Sequence, residues 1–125
     1  MRKKISRPVW LSPLQVWLPL SGLLSLLHRV SGVLLFLLLP LFVYLFGESL
    51  ASPDSYASLT RHPPFWLKLL ALLTAWAFVH HVLAGGRLLL MDIGVGNALN
   101  VSRRTARWVF WLELLVLVSL GVWLC

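Results

Sequence analysis

The residues able to do chemistry lie where the chain is otherwise apolar. Ser25, His28 and Arg29 interrupt one long run of leucines, and His80 and His81 interrupt a second. At ~100° per residue, Ser25, His28, Arg29 and Gly32 share one helix face. An arginine inside a membrane span costs ~2.5–3.5 kcal/mol on insertion scales, so it faces protein, a ligand or a water-filled cavity. The alternative is that Arg29 snorkels to nearby headgroups. A hydroxyl (Ser25) and a cation (Arg29) one turn apart suit the carbonyl oxygens of a quinone, which accept hydrogen bonds and become negative on reduction.

The second run offers two stripes. His81, Gly85, Leu88 and Asp92 follow one; His80, Ala84, Arg87 and Met91 follow the next. A neutral imidazole is a common haem iron ligand. A flat porphyrin needs room beside that ligand, and Gly85, one turn from His81, offers it. The alternative is a histidine hydrogen-bonded between helices. No second histidine follows at a plausible spacing on the same stripe, so a six-coordinate haem would draw its other ligand from another chain. For Arg87 and Asp92 three readings stand: mutual pairing, contact of Arg87 with a haem propionate, or a helix end with interfacial charges. Glu113 is the one acid in the last apolar run. An interfacial position or an intersubunit hydrogen bond is expected of it rather than catalysis. His62 is given no role.

Composition says what must position these groups. Of 125 residues, 59% are hydrophobic and 12% charged, and the mean hydropathy is +0.86. A soluble domain is about 45–50% apolar and about 25% charged. Disorder and an ordinary soluble enzyme are thereby excluded. The net charge of +7 does not imply a nucleic-acid partner, because little soluble surface exists on which to spread it. The lone Cys125 excludes a disulfide framework within the chain. Pro8, Pro13 and Pro19 break the segment after the basic start, so no cleavable secretory signal is expected.

The fold class is therefore all-α, an integral membrane three-helix bundle. The chain reads as one domain, 1–125, with spans at 20–46, 65–91 and 105–125 and a cytoplasmic segment at 1–19. Each span can cross a hydrocarbon core of ~30 Å. Pro40 lies within the first, and Pro63-Pro64 opens the second. Gly47–His62 and Ile93–Asn100 read as loops. Arg2, Lys3, Lys4 and Arg7 precede span one, and Arg103, Arg104 and Arg107 lie between spans two and three. The positive-inside rule puts both groups in the cytoplasm. Trp10, Trp17, Trp66, Trp108 and Trp123 fall near the expected interfaces. On this topology Arg29 lies ~13 Å along span one, and His81 ~15 Å from the cytoplasmic end of span two. Both belong to the same half of the bilayer.

The motifs then carry a resemblance. Ser25-Leu-Leu-His28-Arg29-Val-Ser31-Gly32 resembles the S-x-x-H-R-x-[ST]-G signature of the cytochrome b556 membrane-anchor subunits of succinate dehydrogenase. His81-Val-Leu-Ala-Gly85-Gly-Arg87-Leu-Leu-Leu-Met-Asp92 resembles their second motif, H-x-x-x-G-x-R-x-x-x-x-D. Arg7-Pro8 and Ser12-Pro13 resemble their R-P…S-P opening. The resemblance covers nearly the whole chain. It implies that Ser25 and Arg29 line a ubiquinone site, and that His28, Arg29, His81 and Gly85 surround haem b. In that reading His81 is an axial iron ligand, and His28 lies near the propionates.

The implied partners are a second membrane-anchor subunit supplying the other iron ligand, an iron–sulfur subunit, a flavoprotein subunit, ubiquinone and membrane lipid. A bacterial inner membrane is the expected location, because the sequence starts on its basic segment with no Arg/Ser-rich transit peptide, and a processed mitochondrial chain is the alternative. Leu14 and Leu88 depart from histidines found in many or some relatives, and Leu88 removes one propionate contact. The chain has neither a Rossmann fingerprint nor a cysteine cluster, so it is not expected to oxidise succinate itself. A quinol:fumarate reductase anchor and a haem-free structural or assembly protein are the alternative functions.

Overall fold

The computed structural model describes residues 19–124. The expected N-terminal segment, with its basic residues, its two X-Pro motifs, Trp10, Trp17 and Leu14, lies outside the described residues, as does Cys125. Four helices follow in order: α1 Leu20–Ala51, α2 Pro53–Thr60, α3 Phe65–Asp92 and α4 Leu99–Leu124. Three of them, α1, α3 and α4, are long and apolar enough to cross a membrane. The 32 residues of α1 make it about 48 Å long at ~1.5 Å per residue.

Prolines set the starts. Pro19 and Pro64 stand in extended backbone immediately before α1 and α3. Their carbonyls accept the first N–H groups of each helix, from Gly22 and Leu23 and from Leu67 and Lys68. Pro40 sits inside α1, and the helix runs through it. At the end of α3 the Val95 N–H reaches the Leu90 carbonyl and the Gly94 N–H reaches Met91. That is the Schellman pattern, and it needs the left-handed backbone Gly94 adopts, with φ of 89°.

The loop expectation for Gly47–His62 is corrected, and that for Ile93–Asn100 is shortened at its end. Within Gly47–His62, α1 continues through Ala51, and Pro53–Thr60 forms α2. The cause is a local cap. The Ser52 hydroxyl accepts the Ser55 N–H, the Ser55 hydroxyl accepts the Ser52 N–H, and Pro53 opens the turn. The Ser55 hydroxyl also makes a 2.7 Å contact to the Glu48 carbonyl, tying α2 to the end of α1. The last helix starts at Leu99, ahead of Thr105, so Arg103, Arg104 and Arg107 belong to its first turns.

Contacts fix the packing. Gly32 of α1 meets His81 of α3 and His28 meets Gly85, so these helices are antiparallel. Arg87 meets Ser102, and His80 meets Glu113, so α3 and α4 are antiparallel as well. The start of α1, the end of α3 and the start of α4 therefore share one end of the bundle. The buried stripe of α3 is Ala77, His80, Ala84 and Arg87; that of α4 is Ser102, Ala106, Val109 and Glu113. Small and polar residues face inward, while Phe36, Leu37, Phe78, Trp111 and Trp123 face outward. Hydrocarbon does not drive leucines together, so helices approach through alanine and through hydrogen bonds.

Ala84 is wholly buried against Leu24, Ala106 and Val109. Ala84→Leu should destabilise the purified full chain in detergent by about 1–3 kcal/mol through overpacking. The readout is the midpoint of an SDS titration followed by circular dichroism, and an unchanged midpoint would show that the junction is loosely packed.

Candidate functional site

The junction of α1 and α3 is built on adjacent histidines that bond adjacent turns. His81 Nδ1 lies 3.2 Å from the His28 carbonyl and 3.3 Å from Ser31 Oγ. The Ser31 hydroxyl donates to that same carbonyl at 2.8 Å. A carbonyl only accepts, so Nδ1 carries the proton and Nε2 is left with a lone pair. His80 does the opposite. Its Nε2 lies 3.3 Å from the Leu24 carbonyl, so Nε2 carries the proton. Leu24 and His28 are one helical turn apart, and each carbonyl is met by an imidazole of α3.

The imidazoles of His28 and His81 stack, with centroids 4.2 Å apart and planes 14° from parallel. Glycines permit this. A Cβ on Gly32 would lie 3.0 Å from His81 Cε1, and one on Gly85 would lie 2.8 Å from His28 Nε2. Each ring thus lies over the glycine of the opposite helix. The space at Gly85 is there because the residue lacks a Cβ, and the ring of His28 lies over part of it. Beside the stack runs an open groove of about 600 Å³, lined by His28, His81, Val82, Gly85, Leu88 and Asp92 among others. His81 is half-buried on this groove.

His80 and Glu113 are both buried, and His80 Nδ1 lies 2.7 Å from Glu113 Oε1. The approach is close, although its angle misses that of a well-aligned hydrogen bond. Both ring nitrogens of His80 are occupied by close contacts, which leaves His81 and His28 as the histidines on the groove. The expectation that Glu113 sits at an interface or bonds another subunit is corrected. Its partner is His80 of the same chain, because the two residues fall on the facing stripes of α3 and α4.

Arg87 is buried too. Its Nη2 donates to the Ser102 hydroxyl at 2.7 Å and to the Ser102 carbonyl at 3.1 Å, and its Nε donates to Thr105 Oγ1 at 3.1 Å. It therefore fastens α3 to α4 and does not pair with Asp92, which corrects that reading, and it is not among the residues lining the His81 groove. Asp92 is exposed at the end of α3, on the rim of that groove.

Ser25 and Arg29 lie on a different side of α1 from Ser31. Ser25 is half-buried, and Arg29 is exposed beside a shallow apolar groove of about 370 Å³ lined by Val30, Val33 and Leu34. Neither side chain is hydrogen-bonded among the described residues. The structure joins His28 to His81, but it leaves Ser25 and Arg29 facing out of the bundle. Sequence reasoning gave Ser31 no role, and it missed the partners of Arg87 and Glu113. The available signal was the rule that an ionisable group in hydrocarbon must find a partner, applied to buried groups on neighbouring helices.

Comparison with known proteins bears on this geometry. The model of the family described as succinate dehydrogenase/fumarate reductase transmembrane subunit matches residues 3–120. The succinate dehydrogenase cytochrome b556 subunit of Coxiella burnetii (strain RSA 493 / Nine Mile phase I) is 36% identical over 121 residues, covering 94% of this chain and 96% of that one. The protein of the same description from Paracoccus denitrificans is 31% identical over 100 residues, covering 78% and 77%.

The two glycines should respond unequally. Among the described residues the His28 ring has no hydrogen-bond partner and can swing aside, whereas His81 is held at Nδ1. Gly32→Ala should therefore cost about 1–3 kcal/mol and shift the NMR signals of the His81 ring. Gly85→Ala should cost clearly less in spite of the shorter contact. The reverse order in an SDS titration would show that His28, not His81, is the fixed ring.

Proposed function

The chain belongs to the family of succinate dehydrogenase/fumarate reductase transmembrane subunits, and within it we propose a membrane anchor that binds haem b and forms part of a ubiquinone site. The observation that carries this reading is the setting of His81, with Nδ1 against the His28 carbonyl and the ring on an open groove. A metal ligand needs a nitrogen lone pair facing open space and a fixed acceptor for its other N–H. The His28 carbonyl is that acceptor, Nε2 is the lone pair, and the groove is the space. The residues thus fit the group. His81 would hold the iron, Gly85 would form part of the groove floor, and His28 is the side chain assigned to the propionates. When bound, haem b accepts and releases single electrons.

Arg29 and Ser25 are assigned to the quinone. Ser25 would donate a hydrogen bond to one quinone oxygen. Arg29 would stabilise negative charge on that oxygen, with most force where water is excluded. Both groups face out of the bundle, so a second anchor subunit would close the site and supply the other iron ligand. An iron–sulfur subunit and a flavoprotein subunit would deliver electrons from succinate. Arg103, Arg104 and Arg107 stand at the end of the bundle where α1 begins, which supports a cytoplasmic location for that end in a bacterial inner membrane.

In the complex purified with its partners, His81→Ala should remove the reduced b-type α-band. A full band in that variant refutes the ligand assignment. Arg29→Ala should lower ubiquinone reduction by about 10²-fold, while succinate oxidation by an artificial acceptor stays near wild type. Equal loss of both activities would mark an assembly defect and count against the quinone role.

A further inference from the structure

We propose that His80 and Glu113 form a positioning device for His81, setting the rotation of α3 so that His81 Nε2 faces the groove. The inference rests on the assignment of His81 as the iron ligand, and it concerns residues with no role in holding the haem or the quinone.

The apolar contacts of α3 include Ala84 packed against Leu24, Ala106 and Val109, with Ala77 buried on the same stripe. Contacts among such residues are non-directional, and a helix can turn against them with little change in buried surface. Hydrogen bonds and short polar contacts are directional. His80 is wholly buried and touches two helices at once: the Leu24 carbonyl of α1 at 3.3 Å and Glu113 of α4 at 2.7 Å. Successive residues stand ~100° apart on a helix, so fixing His80 between α1 and α4 fixes where His81 points. A turn that carried His81 off the groove would also pull His80 from both partners and leave Glu113 buried alone.

Arg87 adds a second fastening to α4, seven positions along the same stripe. It touches α4 alone, so it resists sliding of α3 along α4. His80 is the anchor that also reaches α1, the helix that supplies the acceptor for His81. His81 keeps its bond to the His28 carbonyl because its neighbour keeps the bond to the carbonyl one turn earlier.

The test uses the apolar double variant His80→Phe with Glu113→Leu, which leaves no unpaired charge, beside Glu113→Gln, which keeps a polar partner for His80. Two readouts are taken. The first is the EPR g value of the oxidised haem in the purified complex, which reports how the ligand imidazole is oriented. The second is ¹⁵N NMR of the histidines of the full chain in lipid bilayers without haem, which reports whether His81 Nδ1 carries the proton. The double variant should retain haem but show a shifted, broadened g value and a mixture of His81 tautomers, while Glu113→Gln should match wild type in both.

A double variant with wild-type EPR and a single Nδ1-protonated His81 overturns the proposal. So does an equal disturbance in Arg87→Met, which would show that any fastening of α3 serves. If the double variant does not accumulate, His80→Gln decides: its amide can still donate to Leu24, so a retained His81 tautomer upholds the proposal and a lost one overturns it. A wild-type complex without haem b would refute the ligand assignment itself, and the NMR arm would still separate that outcome from a failure of positioning.

Discussion

Two backbone carbonyls of α1 organise the molecule. Those of Leu24 and His28 sit one turn apart, and each receives an imidazole N–H from α3. A carbonyl has two lone pairs, so it can serve the helix ladder and a neighbour at once. Within hydrocarbon, where water is absent, such lone pairs are among the few acceptors on offer. The rest follows from reaching them. Imidazoles must come close to a backbone, so Gly32 and Gly85 face the rings and Ala77 and Ala84 flank them. Opposite nitrogens are used by His80 and His81, and each tautomer sets what the other nitrogen can do. For His80 that nitrogen meets a carboxyl. For His81 it stays open.

The bundle thereby inverts the pattern of a soluble domain. Its interior holds serine, histidine, arginine and glutamate between alanines, and its large apolar side chains point outward. Stability comes from close approach of small residues and from a few buried polar contacts, not from a large core. Because so little of the surface is turned inward, much of it remains for lipid and for other chains. Ser25 and Arg29 belong to that outward surface, so the part of the chemistry assigned to them is incomplete in one chain.

The sequence made some of this legible and hid the rest for physical reasons. Apolar length located three spanning helices, and the two motifs pointed to His28 and His81, which the structure brings into contact. Hydropathy sums over residues and carries no angle, so it did not reveal that His80 turns inward to Glu113 while His81 turns to a groove. The partners of Arg87 were hidden for the same reason: Ser102 and Thr105 are ordinary in sequence, and their value lies in facing α3. The reading of Gly47–His62 as loop gave weight to serine, proline and aspartate as turn formers. Ser52, Pro53 and Ser55 are equally the residues of a helix start, and here they cap α2. The space at Gly85 was legible as well, but not the His28 ring that lies over part of it.

The outward face of Arg29 has a consequence for how many copies of the chain a membrane can hold. A solitary copy presents that guanidinium to the surrounding lipid, at ~2.5–3.5 kcal/mol on insertion scales. Whatever closes the face removes the cost. One exposed cation thus distinguishes a solitary copy from one whose face is covered.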